Sequence, residues 1–138
     1  MNIDDCFSQG LLKRVRPSAD KARKSLALAE DTLLKAKDNF RMAHHDIAIV
    51  LCYTAMFHAA RSILFRDGIK ERSHVCMVLY LRHKYPDLGK YVNTLDSYRR
   101  SRHTTLYGLD IIVKETDANI ALELGKDFIS KMKSLIAR

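Results

Sequence analysis

The stretch IAIVLCYTAMFHAARSILF, residues 47–65, is apolar nearly all the way round when wound as a helix. Such a helix has no face suited to water and must be covered by other helices or by lipid. His58 and Arg61 interrupt it short of the about 20 consecutive apolar residues that a bilayer requires. The expectation is a buried central helix with no membrane as partner, beginning near Met42 or Ala43 and running to about Arg66. Asp67-Gly68 then ends it through the left-handed conformation that glycine tolerates.

The rest of the chain supplies amphipathic helices to wrap it. Pro17-Ser18 reads as a helix start, with Ser18 as N-cap and Asp20 in the first turn, where the helix dipole favours an acid. Ala22, Leu26, Ala29, Leu33 and Ala36 then form a narrow seam, which predicts helix one over 19–39. A third, short helix over 74–84 is capped by Ser73 and stopped before Pro86, and a fourth over 88–107 ends at Gly108. After the link LDIIV, Thr116 is expected to cap a fifth helix striped by Ala121, Leu124, Phe128, Met132, Leu135 and Ile136. Isolated IIV could be a strand, but one strand makes no sheet. With five Gly and two Pro in 138 residues, the reading is all-α: an up-and-down bundle of about five helices in a single domain over 1–138, with 1–17 as a lead-in segment.

Cys6, Cys52 and Cys76 show no Cys-x-x-Cys pair, and two lie in apolar helical stretches. They read as small buried hydrophobes of a reducing compartment, which with the acidic, signal-free opening MNIDDCFSQG predicts a cytoplasmic protein. The formal charge of +8 is concentrated. Between Arg61 and Arg102, ten Lys or Arg face four acids, so this segment carries +6 of the excess. Such a field favours polyanions; the alternative is a charge that serves only as a solubilising surface.

Several constellations are missing from the sequence. There is no Gly-rich phosphate loop, and none of the six histidines stands at a recognised zinc spacing, so neither cofactor nor metal is expected. His44-His45-Asp46 is the nearest approach to a metal cluster, but adjacent helical residues point about 100° apart, and a solvent-facing helix start explains them. His58 reads as a satisfied core histidine or a dimer contact. The end of helix four, YRRSRHTTLYG, is different in kind: Arg100, His103 or Thr104, and Tyr107 share one face, while Arg99, Arg102 and Leu106 line a neighbouring one. Cations at a helix C-terminus are favoured by the dipole whatever their function.

These residues resemble the HEPN domains (higher eukaryotes and prokaryotes nucleotide-binding). CFSQGLLKRVRPSADKARKSLALAEDTL is similar to the family's lead-in and first helix, and YTAMFHAARSILFRDGIKERSH, residues 53–74, to its central helix, with an aromatic-His step, a Gly turn and a Ser-His. YRRSRHTTLYG falls where the family carries its signature: an Arg, four to six residues, a His, and often a Tyr two residues on. The resemblance implies a helical bundle that dimerises with the two signature helices facing each other. Many such proteins are metal-independent ribonuclease toxins, and many work with a minimal nucleotidyltransferase antitoxin that in some pairs adenylylates the signature Tyr. Carried over, the signature Arg is Arg100 and the Tyr is Tyr107, but the His position holds Thr105, and no arginine in this chain is followed by a histidine at that spacing.

Three readings follow. The leading one is a homodimeric binding module linked to a nucleotidyltransferase partner in a toxin–antitoxin-type module. In it Arg99, Arg100 and Arg102 contact the phosphate of a nucleotide or RNA, and Tyr107 stacks on a base or is modified. A second is a ribonuclease in which His103 replaces the missing base beside Arg100; cleavage by the RNA's own 2′-hydroxyl needs a proton acceptor that threonine does not supply. A third is a non-catalytic scaffold, for which RNA binding would be weak and insensitive to salt.

Overall fold

The computed structural model describes residues 1–137 as six α-helices and a two-stranded ribbon. In chain order these are α1 (Ile3–Ser8), β1 (Leu12–Arg14), α2 (Ala19–Arg41), α3 (His45–Asp67), β2 (Ile69–Glu71), α4 (His74–Lys84), α5 (Gly89–Tyr107) and α6 (Glu115–Ile136). A single 3-10 turn, Pro86–Leu88, leads into α5. The all-α bundle expected from the sequence is observed.

The central helix is α3, packed against α2, α5 and α6. By length and composition it could cross a membrane, with a mean hydropathy of 1.6. Most of its residues from Ala48 to Leu64 are instead buried within the bundle, with Val50, Leu51 and Phe57 half-buried. The α2 seam of Ala22, Leu26, Ala29, Leu33 and Ala36 is buried as the spacing predicts, and its alanines let the helices approach closely. Gly125 of α6 serves the same end: a Cβ there would lie 3.2 Å from Leu33 Cδ1 and 3.8 Å from Cys52 Cβ. The buried stripe of α6 runs through Ala118, Ala121, Leu122, Gly125, Phe128, Ile129 and Met132. Leu124, Leu135 and Ile136, expected on it, are only half-buried at its margins.

Local chemistry accounts for most element ends. Ser18 Oγ accepts the Lys21 amide at 3.1 Å, and Ser73 Oγ accepts that of Cys76 at 3.2 Å. Gly68 ends α3 at φ +78°, and a Cβ there would come within 2.6 Å of the Val15 carbonyl oxygen. Both the conformation and the close approach call for glycine. A polar network fastens this corner: Asp67 Oδ2 accepts the hydroxyls of Tyr80 at 2.8 Å and Tyr85 at 2.5 Å. Arg66 donates to Tyr85 Oη at 2.9 Å and to the Leu135 carbonyl at 2.8 Å, tying the ends of α3 and α6 together.

The sequence reading needs correction at several points. The lead-in is folded. Asn2 and Asp5 exchange side-chain hydrogen bonds with each other's amides at 2.9 and 3.0 Å to start α1. Leu12 and Ile69, both 1% exposed, bring β1 and β2 against the core as an antiparallel pair. Helix α3 begins at His45, not Met42 or Ala43, because the chain turns through Ala43 at φ +61°. Helix α6 begins one residue before Thr116, where Asp117 Oδ2 accepts the Lys114 amide at 3.0 Å. The IIV segment between α5 and α6 forms no strand, in agreement with its reading as a link.

The cysteines depart furthest from expectation. Cys6 and Cys76, 70 residues apart, are joined in a disulfide with a Cα–Cα distance of 5.7 Å, because α1 folds back onto α4. Only Cys52 fits the reading as a buried free thiol; burial pushes its pKa up to about 12. Protein purified without reductant should therefore show one reactive thiol per chain in denaturant. Closing so long a loop should stabilise the fold by about 4 kcal/mol, read as the difference between oxidised and reduced protein in denaturant melts. Three reactive thiols in the unreduced protein would show that this bond is absent.

Candidate nucleic-acid interface

Helix α5 is held to the body by its first half. Val92 and Leu95 are its buried residues, and most side chains beyond Arg99 are exposed. The transition is organised by Asp96, whose side chain is 13% exposed: it accepts a hydrogen bond from Arg99 Nε at 2.9 Å and forms ion pairs with Arg100 Nη2 at 3.0 Å and Arg82 Nη2 at 3.7 Å. Arg82 also donates to Asn93 Oδ1 at 2.6 Å. One carboxylate cannot neutralise three guanidinium groups, so the cluster keeps a positive excess and a fixed shape.

The expected faces of α5 separate clearly. Arg99 is half-buried against Asp96, and Arg102, although exposed, has its guanidinium 5.4 Å from the centre of the Tyr53 ring on α3. His103 and Tyr107 are neighbours on the outer face, ring centres 4.9 Å apart, with Tyr107 68% exposed. Arg100 shares this outer side and is well exposed despite its bond to Asp96. Thr105, at the signature's histidine position, belongs to a third side, where with Tyr98 and Ser101 it lines a shallow groove against Ile111, Ile112 and Val113. Leu106, Leu109, Ile111, Ile112 and Ile120 leave an exposed apolar area beside it.

The structure adds residues that the sequence reading did not select. His74, the first residue of α4, has Nδ1 2.6 Å from Tyr53 Oη, and its ring stacks on Phe57 with centres 4.2 Å apart. Burial lowers its pKa, and Arg102, Arg99 and Arg61 lower it further. Burial pushes the Tyr53 phenol up to about 12, against the opposing pull of Arg102 and Arg99. Arg61 Nε lies 3.1 Å from Glu71 Oε1 without the alignment of a hydrogen bond. Two sequence signals pointed here. Ser73 as N-cap fixes His74 at the start of α4, and Asp96 precedes Arg99 and Arg100 by three and four residues, the spacing of helical ion pairs.

The other histidines play lesser parts. His58 is half-buried, edge-on to Phe57, and its backbone carbonyl accepts the Ser25 hydroxyl at 2.7 Å. Among the described residues its buried Nδ1 has no hydrogen-bond partner, which goes against the satisfied core histidine and leaves the dimer contact as the other expectation. At the start of α3, His44 is exposed and the His45 ring lies 5.8 Å from that of Phe40.

Burial holds the pKa of both His58 and His74 below the ordinary 6.5, with nearby arginines adding to the effect. Above that value the imidazoles are neutral in both folded and unfolded chains. Below it the unfolded chain takes up protons first, so stability present above pH 6.5 is lost as the pH falls toward the folded pKa values. Thermal midpoints should therefore drop between about pH 7 and about pH 5, with a shallower fall in His74→Gln. A midpoint flat across this interval would show that neither imidazole is kept neutral by the fold.

The HEPN domain family matches residues 22–135, which takes in α2 through almost all of α6. No curated protein matches the chain. With its bundle matched over most of its length, the chain belongs to the HEPN domain family, with the nucleotide- or RNA-related role that this family carries.

Proposed function

We propose that this protein is the HEPN partner in a nucleotidyltransferase-linked, toxin–antitoxin-type module, a homodimer that binds nucleotide or RNA through the basic end of α5. The observation that carries the reading is the convergence of Arg82, Arg99 and Arg100 on Asp96, with Arg102 alongside over Tyr53. A shared carboxylate holds guanidinium groups in place without cancelling their charge, and guanidinium forks match phosphate oxygens. The exposed apolar residues Leu106, Leu109, Ile111 and Ile112 favour a second copy as the neighbour of this helix end. On this reading the protein works in the cytoplasm, where RNA and ATP are at hand.

Tyr107 supports the link to a nucleotidyltransferase. Its ring is largely exposed at the last turn of α5, so its hydroxyl is open to a partner enzyme. Attack of that hydroxyl on the α-phosphorus of ATP would join the adenylyl group to Tyr107 and release pyrophosphate. Incubation with a cognate nucleotidyltransferase, ATP and Mg²⁺ should add one adenylyl mass per chain at Tyr107, and none in Tyr107→Phe. An active partner that leaves Tyr107 unmodified would remove this part of the reading.

A second reading, ribonuclease activity with His103 as a displaced base, is favoured by the closeness of His103 to Tyr107 on the side that carries Arg100. With Thr105 at the signature position, cleavage should be weaker by about 10² to 10⁴ than that of a protein with an intact acid–base pair. The check is cleavage of a mixed-sequence RNA in EDTA by the parent, Arg100→Ala and His103→Ala. The expected result is binding without cleavage. Cleavage lost in both variants would establish His103 as the base, and RNA binding that ignores salt would leave only a scaffold.

A further inference from the structure

The signature carries over to Arg100 and Tyr107 on the outer side of α5, with His103 beside Tyr107, and does not use Arg99 or Arg102, the second of which faces Tyr53. Tyr53 is 2% exposed, and the one hydrogen-bond partner of its hydroxyl among the described residues is His74 Nδ1. A buried phenol proton without an acceptor is costly, so Tyr53 donates to Nδ1. The imidazole is then the tautomer with its proton on Nε2. That atom has no hydrogen-bond partner among the described residues, yet it is not one of the buried unpartnered atoms, so it is open to solvent. Stacking on Phe57 fixes the plane of the ring. His74 thus presents a fixed N–H donor and not a lone pair.

The surroundings are donors as well. The carboxylates of this cluster are already engaged, Asp96 by Arg82, Arg99 and Arg100, and Glu71 by Arg61. Among the described residues Arg102 has no carboxylate partner, and its guanidinium lies 5.4 Å from the centre of the Tyr53 ring. His74 opens α4, an end that itself favours negative charge. A site made only of an N–H donor and planar guanidinium forks is suited to a tetrahedral oxyanion with several acceptor oxygens.

We infer that His74, Arg99 and Arg102, from α4 and α5, with Tyr53 of α3 setting the imidazole tautomer, form a phosphate-ester site within a single protomer. The inference rests on the nucleotide- or RNA-binding reading above and names the group that the inner face takes: an RNA phosphodiester or the phosphate of a mononucleotide. His74 acts there as a hydrogen-bond donor to phosphate oxygen. Tyr53 is a positioning residue that acts through it.

The test follows the His74 ring signal by NMR in the parent protein at constant ionic strength, titrating inorganic phosphate, AMP and a short single-stranded RNA in turn. Each bound probe should shift the signal and raise the pH at which His74 titrates, since a bound anion favours the imidazolium. AMP shifting it more strongly than RNA would identify the mononucleotide as ligand; the reverse would identify the polymer. His74→Gln and Arg102→Ala should each weaken binding of the better ligand about tenfold, the loss of one charge-assisted hydrogen bond. Tyr53→Phe should weaken it too while leaving the Arg102 contribution in place. RNA binding with an unmoved His74 signal and unchanged affinity in His74→Gln would overturn this inference and leave the α5 reading intact. A His74 response to inorganic phosphate without RNA or AMP binding would uphold the anion site and overturn that reading.

Discussion

Helix α3 buries residues on every side between Ala48 and Leu64, and the other long helices are laid around it to meet that demand. α2 brings a seam of small residues, α6 a glycine that meets Leu33 of α2 and Cys52 of α3, and α5 Val92 and Leu95, about one turn apart. Because the apolar surface of α3 is consumed in this way, its polar positions are pushed to the edge of the packing. Tyr53 meets His74 of α4, Arg61 meets Glu71 of β2, and His58 is half-buried beside Phe57. The candidate site is thus a by-product of how the core closes: polar groups that the central helix cannot bury among alkyl chains collect along one seam.

Electrostatics then divides that seam. Asp96 holds three arginines by short contacts, and Glu71 lies against a fourth. Positive charge remains after both acids are used, and it acts on the buried groups nearby, favouring a neutral His74 and working against the desolvation of Tyr53. The outer turn of α5, with His103 and Tyr107, is chemically a separate surface. A helix that carries two such faces within eleven residues has to be read in three dimensions before its residues can be grouped.

The long helices were legible because their signals are local: a capping serine at 18 and at 73, a glycine at 68, and apolar spacing in α2. The family resemblance likewise rested on contiguous residues and is matched over 22–135. Non-local features were not legible. Nothing in the spacing of Cys6 and Cys76 announces that they meet, and the β1–β2 ribbon that returns the N-terminus to the core is made of two three-residue strands. At the site, the arginines of α5 were visible as a group, but the split into inner and outer faces depends on Asp96, one of four acids among ten basic residues. The partnership of Tyr53 with His74 spans 21 residues and two helices, and no periodicity reports it.

The bond between Cys6 and Cys76 also divides the polypeptide topologically. It makes a covalent ring of everything from α1 to the first turn of α4, enclosing α2 and α3, and leaves α5 and α6 on an open tail. A backbone cut anywhere inside the ring opens it without parting the molecule, so α2 and α3 keep their connection through the sulfur atoms. A cut in the exposed link Leu109–Ile112 has no such safeguard: it frees α6, and only non-covalent contacts with α2 and α3 would retain it. Resistance to nicking is therefore unequal along the chain, greatest where the core is made and least immediately after the helix that carries the arginines.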